Sequence, residues 1–337
     1  MPCSHHPHLR MLIVHSPSRN DAMTKPDVMM FHPARPAALA QLEARYTLHR
    51  YDLATDKPAF LARHGATCRA AAANGQVPLT AQMIAAMPLL ELVACSSAGC
   101  ESFDLAAMAA RGIRLTNASL ALKDDVADTA IMLMLAARRD LIAGHAYVQS
   151  GEWARHDAFP LQHSLRGKRL GIVGMGTIGQ AIAERAVAMT LQVSYWNRSA
   201  KDVPWRYQPD LIALARESDT LIAIVAGGEG TRGLISADVI AALGPNGLLI
   251  NVARGSVVDE PALIAALASG ALGHAALDVF ASEPNPDPRL TSLPNVTLYP
   301  HHASGTVETR DAMAQIVVDN LAAFYAGAPL TSQVILP

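Results

Sequence analysis

The sequence predicts an α/β protein with two doubly wound parallel-sheet domains and a cleft between them. A chain of 337 residues is long for one domain, and its 51% hydrophobic content is enough for two cores. Strand-like and helix-like segments alternate in two series, over residues 27–117 and 168–300. Such alternation indicates parallel strands joined by right-handed crossovers. A glycine-rich turn at residues 174–179 lies at the first strand–helix junction of the second series.

The first 25 residues show no hydrophobic period and contain Pro, Ser and several His, so we expect a tail with little structure there. His5, His6 and His8 could bind a metal, but a simple tail is the preferred interpretation, and we predict no metal site. A biological start downstream, for example at Met23, is a second interpretation of the same segment.

The first series forms one small α/β unit that ends before the glycine turn. Apolar runs bounded by turn residues predict five strands, at residues 28–31, 47–51, 67–73, 90–95 and 113–117. Helical spacing of apolar residues predicts helices at residues 37–46, 80–87 and 103–111. A long helix over residues 124–144 then crosses to the second domain, and a last helix over residues 307–326 can return to cover the first.

These elements define the predicted domains. We expect residues 26–118 and 304–337 to form a substrate domain, and residues 119–303 to form a dinucleotide-binding domain. Both are expected to be Rossmann-like or flavodoxin-like sheets. The second series supplies six strands, at residues 169–173, 192–196, 220–225, 248–252, 275–278 and 296–298. In such sheets ligands bind beyond the carboxyl ends of the strands, so the residues at those ends are the candidates for chemistry.

The glycine turn has the G-x-G-x-x-G spacing of a dinucleotide site. Gly174 allows a sharp turn, Gly176 allows a pyrophosphate to approach the backbone, and Gly179 allows the helix to lie close to the strand. The free amides and positive end of the helix dipole then face the phosphates. A tight turn without a ligand is the alternative, but the preceding strand and the following helix favour a cofactor site.

The next strand, residues 192–196, ends in Asn197-Arg198-Ser199, and no carboxylate follows before Asp202. An acidic residue at this position would bind the ribose 2′-hydroxyl of NAD and repel a 2′-phosphate. A guanidinium and a hydroxyl can instead bind that phosphate. We therefore predict NADPH as the cofactor, with NADH as the alternative, while a solvated polar turn is the interpretation without a ligand.

Three later strand ends carry side chains suited to one reaction. Arg254 follows the strand at residues 248–252, Glu283 follows that at 275–278, and His301 and His302 follow that at 296–298. A guanidinium can hold a carboxylate bidentately, an imidazole can give a proton to a carbonyl oxygen, and a carboxylate can hydrogen-bond the imidazole. Singly these are ordinary surface residues, but on strand ends beyond a dinucleotide turn they predict catalysis on an anionic carbonyl compound.

Charge and cysteine content exclude several classes of partner and location. Lys and Arg total 27 against 29 Asp and Glu, a net charge of −2 that gives no electrostatic reason to expect nucleic acid or an anionic membrane as partner. No apolar run reaches the length of a membrane span. The four cysteines form no C-x-x-C motif and, with no signal-peptide pattern, favour the reducing cytoplasm.

With these motifs in place, the chain resembles the D-isomer-specific 2-hydroxyacid dehydrogenase family from about residue 27 to its end. The matching segments are the cofactor turn (174–179), the arginine motif (251–255), the glutamate motif (277–284), the histidine motif (300–303), the carboxylate-binding turn (97–99 with Asp104) and the start of an interdomain helix (126–128). Residues 226–228 depart from the proline-containing motif that is common after the preceding strand.

The resemblance implies that a hydride passes from NAD(P)H to C2 of a 2-keto acid. It implies His301 as the proton donor, paired with Glu283, and it implies that Arg254 and the amides of Ala98 and Gly99 hold the substrate carboxylate. It also implies a homodimer, in which Trp153 either reaches the partner's pocket or anchors its own loop. The expected cofactor contacts are Gly174, Met175, Gly176, Thr177, Ile178, Gly179, Asn197, Arg198, Ser199, Val225, Ala226, Val252, Ala253, Asp278 and His301.

Asn197-Arg198-Ser199 is similar to the NADPH-dependent glyoxylate/hydroxypyruvate reductase branch of the family, and we predict that activity. An NADH-dependent enzyme for a bulkier keto acid, such as phenylpyruvate or 2-ketogluconate, is the alternative. A dinucleotide-sensing binding protein is a third hypothesis, which the intact Arg254, Glu283 and His301 disfavour.

Overall fold

The computed structural model describes residues 25–156 and 158–336, so nearly all of the predicted tail lies outside the described residues. Strands and helices alternate through the first part of the chain: β1 (Asp27–Met30), α1 (Pro36–Arg45), β2 (Thr47–Arg50), α2 (Lys57–His64), β3 (Ala70–Ala73), α3 (Ala81–Ala85), β4 (Leu92–Cys95), α4 (Leu105–Ala110) and β5 (Arg114–Thr116). The five strands pair in parallel in the order β2-β1-β3-β4-β5. This is a flavodoxin-like sheet.

Three helices connect the first sheet to the second: α5 (Ser119–Arg138), α6 (Leu141–Gln149) and α7 (Glu152–Arg155). The prediction of one helix over residues 124–144 is wrong at both ends, because α5 begins at Ser119 and ends at Arg138. Asp140 adopts a left-handed conformation with φ of 49°, which interrupts the helical hydrogen-bond pattern before α6 begins. The buried face of α5 joins the core of the second sheet.

The second series contains β6 (Arg169–Val173), α8 (Thr177–Ala188), β7 (Gln192–Trp196), β8 (Arg206–Tyr207), α9 (Leu211–Glu217), β9 (Thr220–Ala223), α10 (Ala237–Leu243), β10 (Leu248–Asn251), α11 (Glu260–Ser269), β11 (His274–Leu277), α12 (Pro288–Thr291) and β12 (Val296–Leu298). All seven strands are parallel, in the order β8-β7-β6-β9-β10-β11-β12. The strand order reverses direction at β6, where a Rossmann sheet binds its ligand.

The chain then returns to the first domain. Helix α13 (Val307–Ala326) has the bounds that the sequence predicts, and it places Val317, Val318 and Leu321 in the core beside the first sheet. A final short strand, β13 (Gln333–Val334), pairs antiparallel with β5. The predicted fold class, two doubly wound α/β sheets with a cleft between them, is confirmed.

Both sheets are covered on both faces, which explains the apolar strands seen in the sequence. All four alanines of β3 are buried, as are all residues of β4, β9 and β10. Parallel strands that are buried on both sides need continuous apolar runs rather than alternation. None of the helices within the described ranges has the length and apolar character needed to cross a membrane.

Candidate active site

The glycine turn joins β6 to α8, and its geometry requires glycine at two positions. Gly174 has a φ of 111°, and a Cβ there would lie 2.6 Å from the Ile224 carbonyl oxygen. A Cβ on Gly179 would lie 2.1 Å from the Gly174 carbonyl oxygen. At Gly176, by contrast, a Cβ would meet nothing within 4 Å, so this side of the turn is open to an incoming group.

The N-terminus of α8 is suited to bind an anion. Gly176 occupies the N-cap position, so no side chain caps the helix, and its first turn carries no acidic residue. The first amides of a helix have no intrahelical partner and carry the positive end of the dipole. An open glycine turn that leads into an uncapped helix fits the pyrophosphate of a dinucleotide.

The Asn197-Arg198-Ser199 turn lies beside the glycine turn at the same edge of the sheet. Val173 pairs with Trp196, and the Gly174 N–H donates to the Trp196 carbonyl oxygen at 2.9 Å. Within residues 25–156 and 158–336, the exposed Arg198 side chain makes no hydrogen bond or ion pair. A free guanidinium at this position fits a cofactor that carries a phosphate on its ribose.

His301 and Glu283 form a hydrogen-bonded pair on neighbouring strand ends. The His301 Nδ1 atom lies 2.6 Å from Glu283 Oε2, and Glu283 Oε1 accepts the Phe280 N–H at 2.9 Å. Both oxygens of the Glu283 carboxylate therefore have partners, which fixes the orientation of the His301 imidazole. The Nε2 atom of that imidazole remains available for a hydrogen bond to another group. The neighbouring His302 side chain instead lies edge-on to Tyr299, with the ring centroids 6.0 Å apart.

Asp278 builds the backbone turn that presents His301. This residue is 1% exposed, and its two carboxylate oxygens accept the N–H groups of His302 at 2.7 Å and Ala303 at 3.1 Å. Burial raises the pKa of the Asp278 carboxyl, whereas these two hydrogen bonds act to lower it. Although Asp278 is among the predicted cofactor contacts, both of its carboxylate oxygens are bound to the backbone.

Arg254 follows β10 and faces the first domain. Its Nη1 donates to the Ala253 carbonyl oxygen at 2.6 Å, and its Nη2 lies 3.5 Å from Glu101 Oε2. The remaining guanidinium N–H groups are available, because a guanidinium has five donors in all. Arg254 can therefore still hold a carboxylate.

The turn after β4 offers backbone amides opposite Arg254. Asn117 Nδ2 donates to the Ala98 carbonyl oxygen at 3.0 Å, and the Ala118 N–H donates to the Ser97 carbonyl oxygen at 3.0 Å. In the described part of the chain, the N–H groups of Ala98 and Gly99 have no hydrogen-bond partner. Fixed carbonyls and free amides give this turn the character of an anion site.

These groups surround a cavity of about 380 Å³ between the two sheets. The predicted residues that line it are Ala98, Gly99, Ile178, Val225, Ala226, Val252, Ala253, Arg254, Asp278 and His301. Glu283 lies behind His301, on the wall of a neighbouring apolar pocket. Outside the lining are Gly174, Met175, Gly176, Thr177, Gly179, Asn197, Arg198 and Ser199. This is the direction in which a dinucleotide would extend from its reactive ring.

The sequence interpretation missed several cavity residues with polar side chains, namely Asn74, Gln76, Glu101, Asn117, Ser119, Ser304 and Arg310. Glu101 lies two positions after Gly99, so its place next to the turn was a usable signal. Arg310 lies in the first turn of α13, and its place at the cleft depends on how α13 returns across the domains.

Comparison with known proteins adds an independent result. Residues 131–303 match the model of the family described as D-isomer specific 2-hydroxyacid dehydrogenase, NAD binding domain. Glyoxylate/hydroxypyruvate reductase A of Arabidopsis thaliana is 42% identical over 309 residues, which cover 91% of this chain and 98% of the relative. Hydroxyphenylpyruvate reductase of Plectranthus scutellarioides is also 42% identical over 309 residues, with the same coverage of 91% and 98%.

The fold has a similar counterpart among solved structures. The NADPH-dependent glyoxylate/hydroxypyruvate reductase of Sinorhizobium meliloti, in complex with NADP and malonate, superposes with a TM-score of 0.82. It is 39% identical, and the match covers 92% of this chain and 97% of that structure. The predicted family resemblance is therefore confirmed.

Proposed function

The chain belongs to the D-isomer-specific 2-hydroxyacid dehydrogenase family, and from this premise we propose that it reduces glyoxylate or hydroxypyruvate with NADPH. The product is the D-2-hydroxy acid where reduction creates a stereocentre, as it does with hydroxypyruvate, whereas glyoxylate gives the achiral glycolate. The observation that carries the proposal is the 2.6 Å contact between His301 Nδ1 and Glu283 Oε2, next to a cavity that His301 shares with Arg254. An oriented imidazole and a guanidinium beside a dinucleotide turn suit the reduction of an anionic carbonyl compound.

Each site residue has one proposed task. Arg254 and the free amides of Ala98 and Gly99 bind the substrate carboxylate, which orients the carbonyl group at C2. His301 donates a proton from Nε2 to the carbonyl oxygen, and Glu283 stabilises the charged imidazole through Nδ1. When bound, the dinucleotide supplies the hydride that adds to C2. The glycine turn and the N-terminus of α8 would hold its pyrophosphate.

NADPH is the proposed cofactor because Arg198 is exposed and unpaired among the described residues, at the turn next to the glycine turn. No carboxylate side chain stands within residues 197–201 to repel a 2′-phosphate. The match to a structure with bound NADP supports this choice, since that reductase is named as NADPH-dependent.

A second candidate is the reduction of a bulkier 2-keto acid with NADH. One observation supports it: a relative that is 42% identical is named as a hydroxyphenylpyruvate reductase. Phenylpyruvate and 2-ketogluconate are therefore included in the test alongside the small keto acids.

The test measures NADPH and NADH oxidation with glyoxylate, hydroxypyruvate, pyruvate, phenylpyruvate and 2-ketogluconate. We expect the highest kcat/KM for glyoxylate or hydroxypyruvate with NADPH. A His301→Ala variant should lose activity by a factor of about 10² to 10⁴, the usual contribution of a general acid. Tight NADPH binding without turnover of any keto acid would instead support a dinucleotide-sensing binding protein.

Domain roles and assembly are part of the proposal. We propose residues 26–118 and 304–337 as the substrate domain and residues 119–303 as the dinucleotide-binding domain. Helices α5 and α6 expose several apolar side chains that support a homodimer: Met132, Leu135, Leu141, Ile142 and Val148. Trp153 is 64% exposed, which favours a contact with the partner over anchoring its own loop. A Leu135→Glu variant should shift the mass measured by light scattering from dimer to monomer.

We also propose a cytoplasmic location. The three cysteines in the described ranges, Cys68, Cys95 and Cys100, are free and buried, as expected in a reducing compartment.

A further inference from the structure

We propose that Glu101 is a positioning residue that fixes Arg254 and joins the two domains across the cleft. The inference rests on the proposed function, because it concerns how the same site holds a substrate carboxylate. Glu101 lies in the loop after β4 of the first sheet, whereas Arg254 follows β10 of the second sheet. Glu101 lies between Gly99 and Asp104 of the carboxylate-binding turn, but it is not among the predicted site residues.

Glu101 makes two contacts with the opposite domain. Its Oε1 atom accepts the Gly227 N–H at 3.1 Å, and its Oε2 atom lies 3.5 Å from Arg254 Nη2. The side chain is 29% exposed and that of Arg254 is 34% exposed, so both are partly removed from water. One carboxylate therefore bridges a backbone amide and a guanidinium that belong to different loops of the second sheet.

Two glycines make this bridge sterically feasible. A Cβ on Gly99 would lie 1.7 Å from Arg254 Nη2 and 2.4 Å from Glu101 Oε2, so the ion pair lies directly over this glycine. A Cβ on Gly227 would lie 2.8 Å from Arg254 Cγ and 3.1 Å from Glu101 Oε1. The departure from the common proline-containing motif at residues 226–228 thus places a glycine where Arg254 and Glu101 must approach the backbone.

The remaining donors of Arg254 show why the bridge can assist binding. The Ala253 carbonyl oxygen takes one N–H of Nη1, and Glu101 faces Nη2. Three of the five guanidinium N–H groups remain, which is enough for a bidentate carboxylate contact. Held from two sides, Arg254 loses less rotamer entropy when it binds the substrate.

Glu101 could have either of two roles toward Arg254, and these roles predict opposite changes in substrate binding when its carboxylate is removed. If its carboxylate merely competes with the substrate for Arg254, then removing it should strengthen substrate binding. If it positions Arg254, removing it should weaken binding of any 2-keto carboxylate and leave the dinucleotide unaffected. The sign of the change in substrate affinity therefore separates the two roles.

The experiment measures the Kd of oxamate, an unreactive isostere of a small 2-keto acid, for the complex of the protein with NADPH. It also measures KM for hydroxypyruvate and for NADPH. Glu101→Ala should raise both the oxamate Kd and the hydroxypyruvate KM by about tenfold, equivalent to about 1.4 kcal/mol. The KM for NADPH should stay within about twofold. Glu101→Gln keeps an oxygen acceptor for Gly227, so we expect a smaller loss, of about threefold.

Glu229→Ala is the matched control, because Glu229 lies two residues after Gly227 and pairs only with the exposed Arg232 in the described part of the chain. It should bind oxamate like the parent protein. The proposal is overturned if Glu101→Ala binds oxamate as tightly as the parent or more tightly, or if Glu229→Ala shows the same loss. Oxamate binding requires no turnover, so it tests Glu101 even if no keto acid is reduced and the proposed function fails.

Discussion

The backbone carbonyl oxygen of Asp278 accepts the His301 N–H at 2.7 Å and helps hold His301 at a φ of 50°. This left-handed conformation is uncommon for a residue with a side chain, so it persists only where neighbouring contacts enforce it. The Asp278 carboxylate adds hydrogen bonds to the next two N–H groups, those of His302 and Ala303. One buried residue therefore sets the backbone that aims the imidazole.

An Asp278→Asn substitution tests this arrangement. The amide retains one acceptor oxygen but presents an NH₂ group to a backbone N–H, which leaves buried donors unpaired. We expect a loss of about 1–3 kcal/mol in unfolding free energy, measured by urea denaturation. We also expect kcat to fall by about tenfold, since the imidazole is no longer held in place.

Asp238→Asn is the control for that experiment, because Asp238 is exposed on α10. Its stability should stay within about 0.5 kcal/mol of the parent value. A parent-like kcat in Asp278→Asn would contradict the positioning role of Asp278.

Glu283→Gln removes the charge that stabilises a protonated His301 and keeps the size of the side chain. We expect kcat to fall by about 10- to 100-fold, with a smaller change in KM for the keto acid, because substrate binding rests on Arg254. Steady-state kinetics with hydroxypyruvate provide the measurement. Glu260→Gln is the matched control. Glu260, on α11, accepts the N–H of Ala281 at 2.9 Å, and Ala281 lies in the same loop as Glu283. A similar loss in both variants would show that the effect is structural.

Arg198→Ala tests the cofactor preference. Removing the guanidinium should raise KM for NADPH by about tenfold or more, because a charge-assisted contact to a phosphate is lost. The KM for NADH, which has no 2′-phosphate, should change by less than about threefold. Arg206→Ala serves as the control, because Arg206 is exposed on the nearby β8 and pairs with Glu217. Equal efficiency of the parent protein with both cofactors would contradict the proposed preference.

The strand ends and the last helix could be predicted from the sequence because their signals are local. Parallel strands place all their carboxyl ends at one edge of a sheet. Arg254 and His301 each follow such a strand end, and both line the same cavity. Helix α13 begins after Thr306, whose side chain caps the Thr309 N–H, and it ends before Gly327, which has a φ of 67°. Both residue types are ordinary helix-end signals.

Other features depend on contacts that no local pattern contains. Asp140, which separates α5 from α6, is left-handed but is not a glycine, and aspartate adopts this conformation only occasionally, so the sequence marks that break weakly. Helix α2 was missed, although Asp56 caps it at the Ala59 N–H and Pro58 follows within its first turn. The pairing of Glu101 with Arg254 joins residues 153 positions apart and requires both domains to be in place.

His274 should make the stability of the protein depend on pH. Burial lowers the pKa of this imidazole, the charge of Asp140 opposes that shift and the charge of Arg138 adds to it. His274 begins β11, and its Nε2 lies 3.2 Å from the hydroxyl oxygen of Thr297 in β12. In the unfolded chain His274 binds a proton near its ordinary value of about 6.5, whereas the folded protein binds that proton only at lower pH.

Between these two values the unfolded state therefore binds more protons, and the free energy of unfolding falls as the pH decreases. The contribution of His274 is fully present above about pH 6.5 and is lost at no more than about 1.4 kcal/mol per pH unit below it. Urea denaturation at pH 7.5, 6.5 and 5.5 should show a smaller decrease for His274→Gln than for the parent. His163→Gln, at an exposed position, should keep the parent dependence. Identical pH dependence in His274→Gln and the parent would show that burial of His274 does not control acid stability.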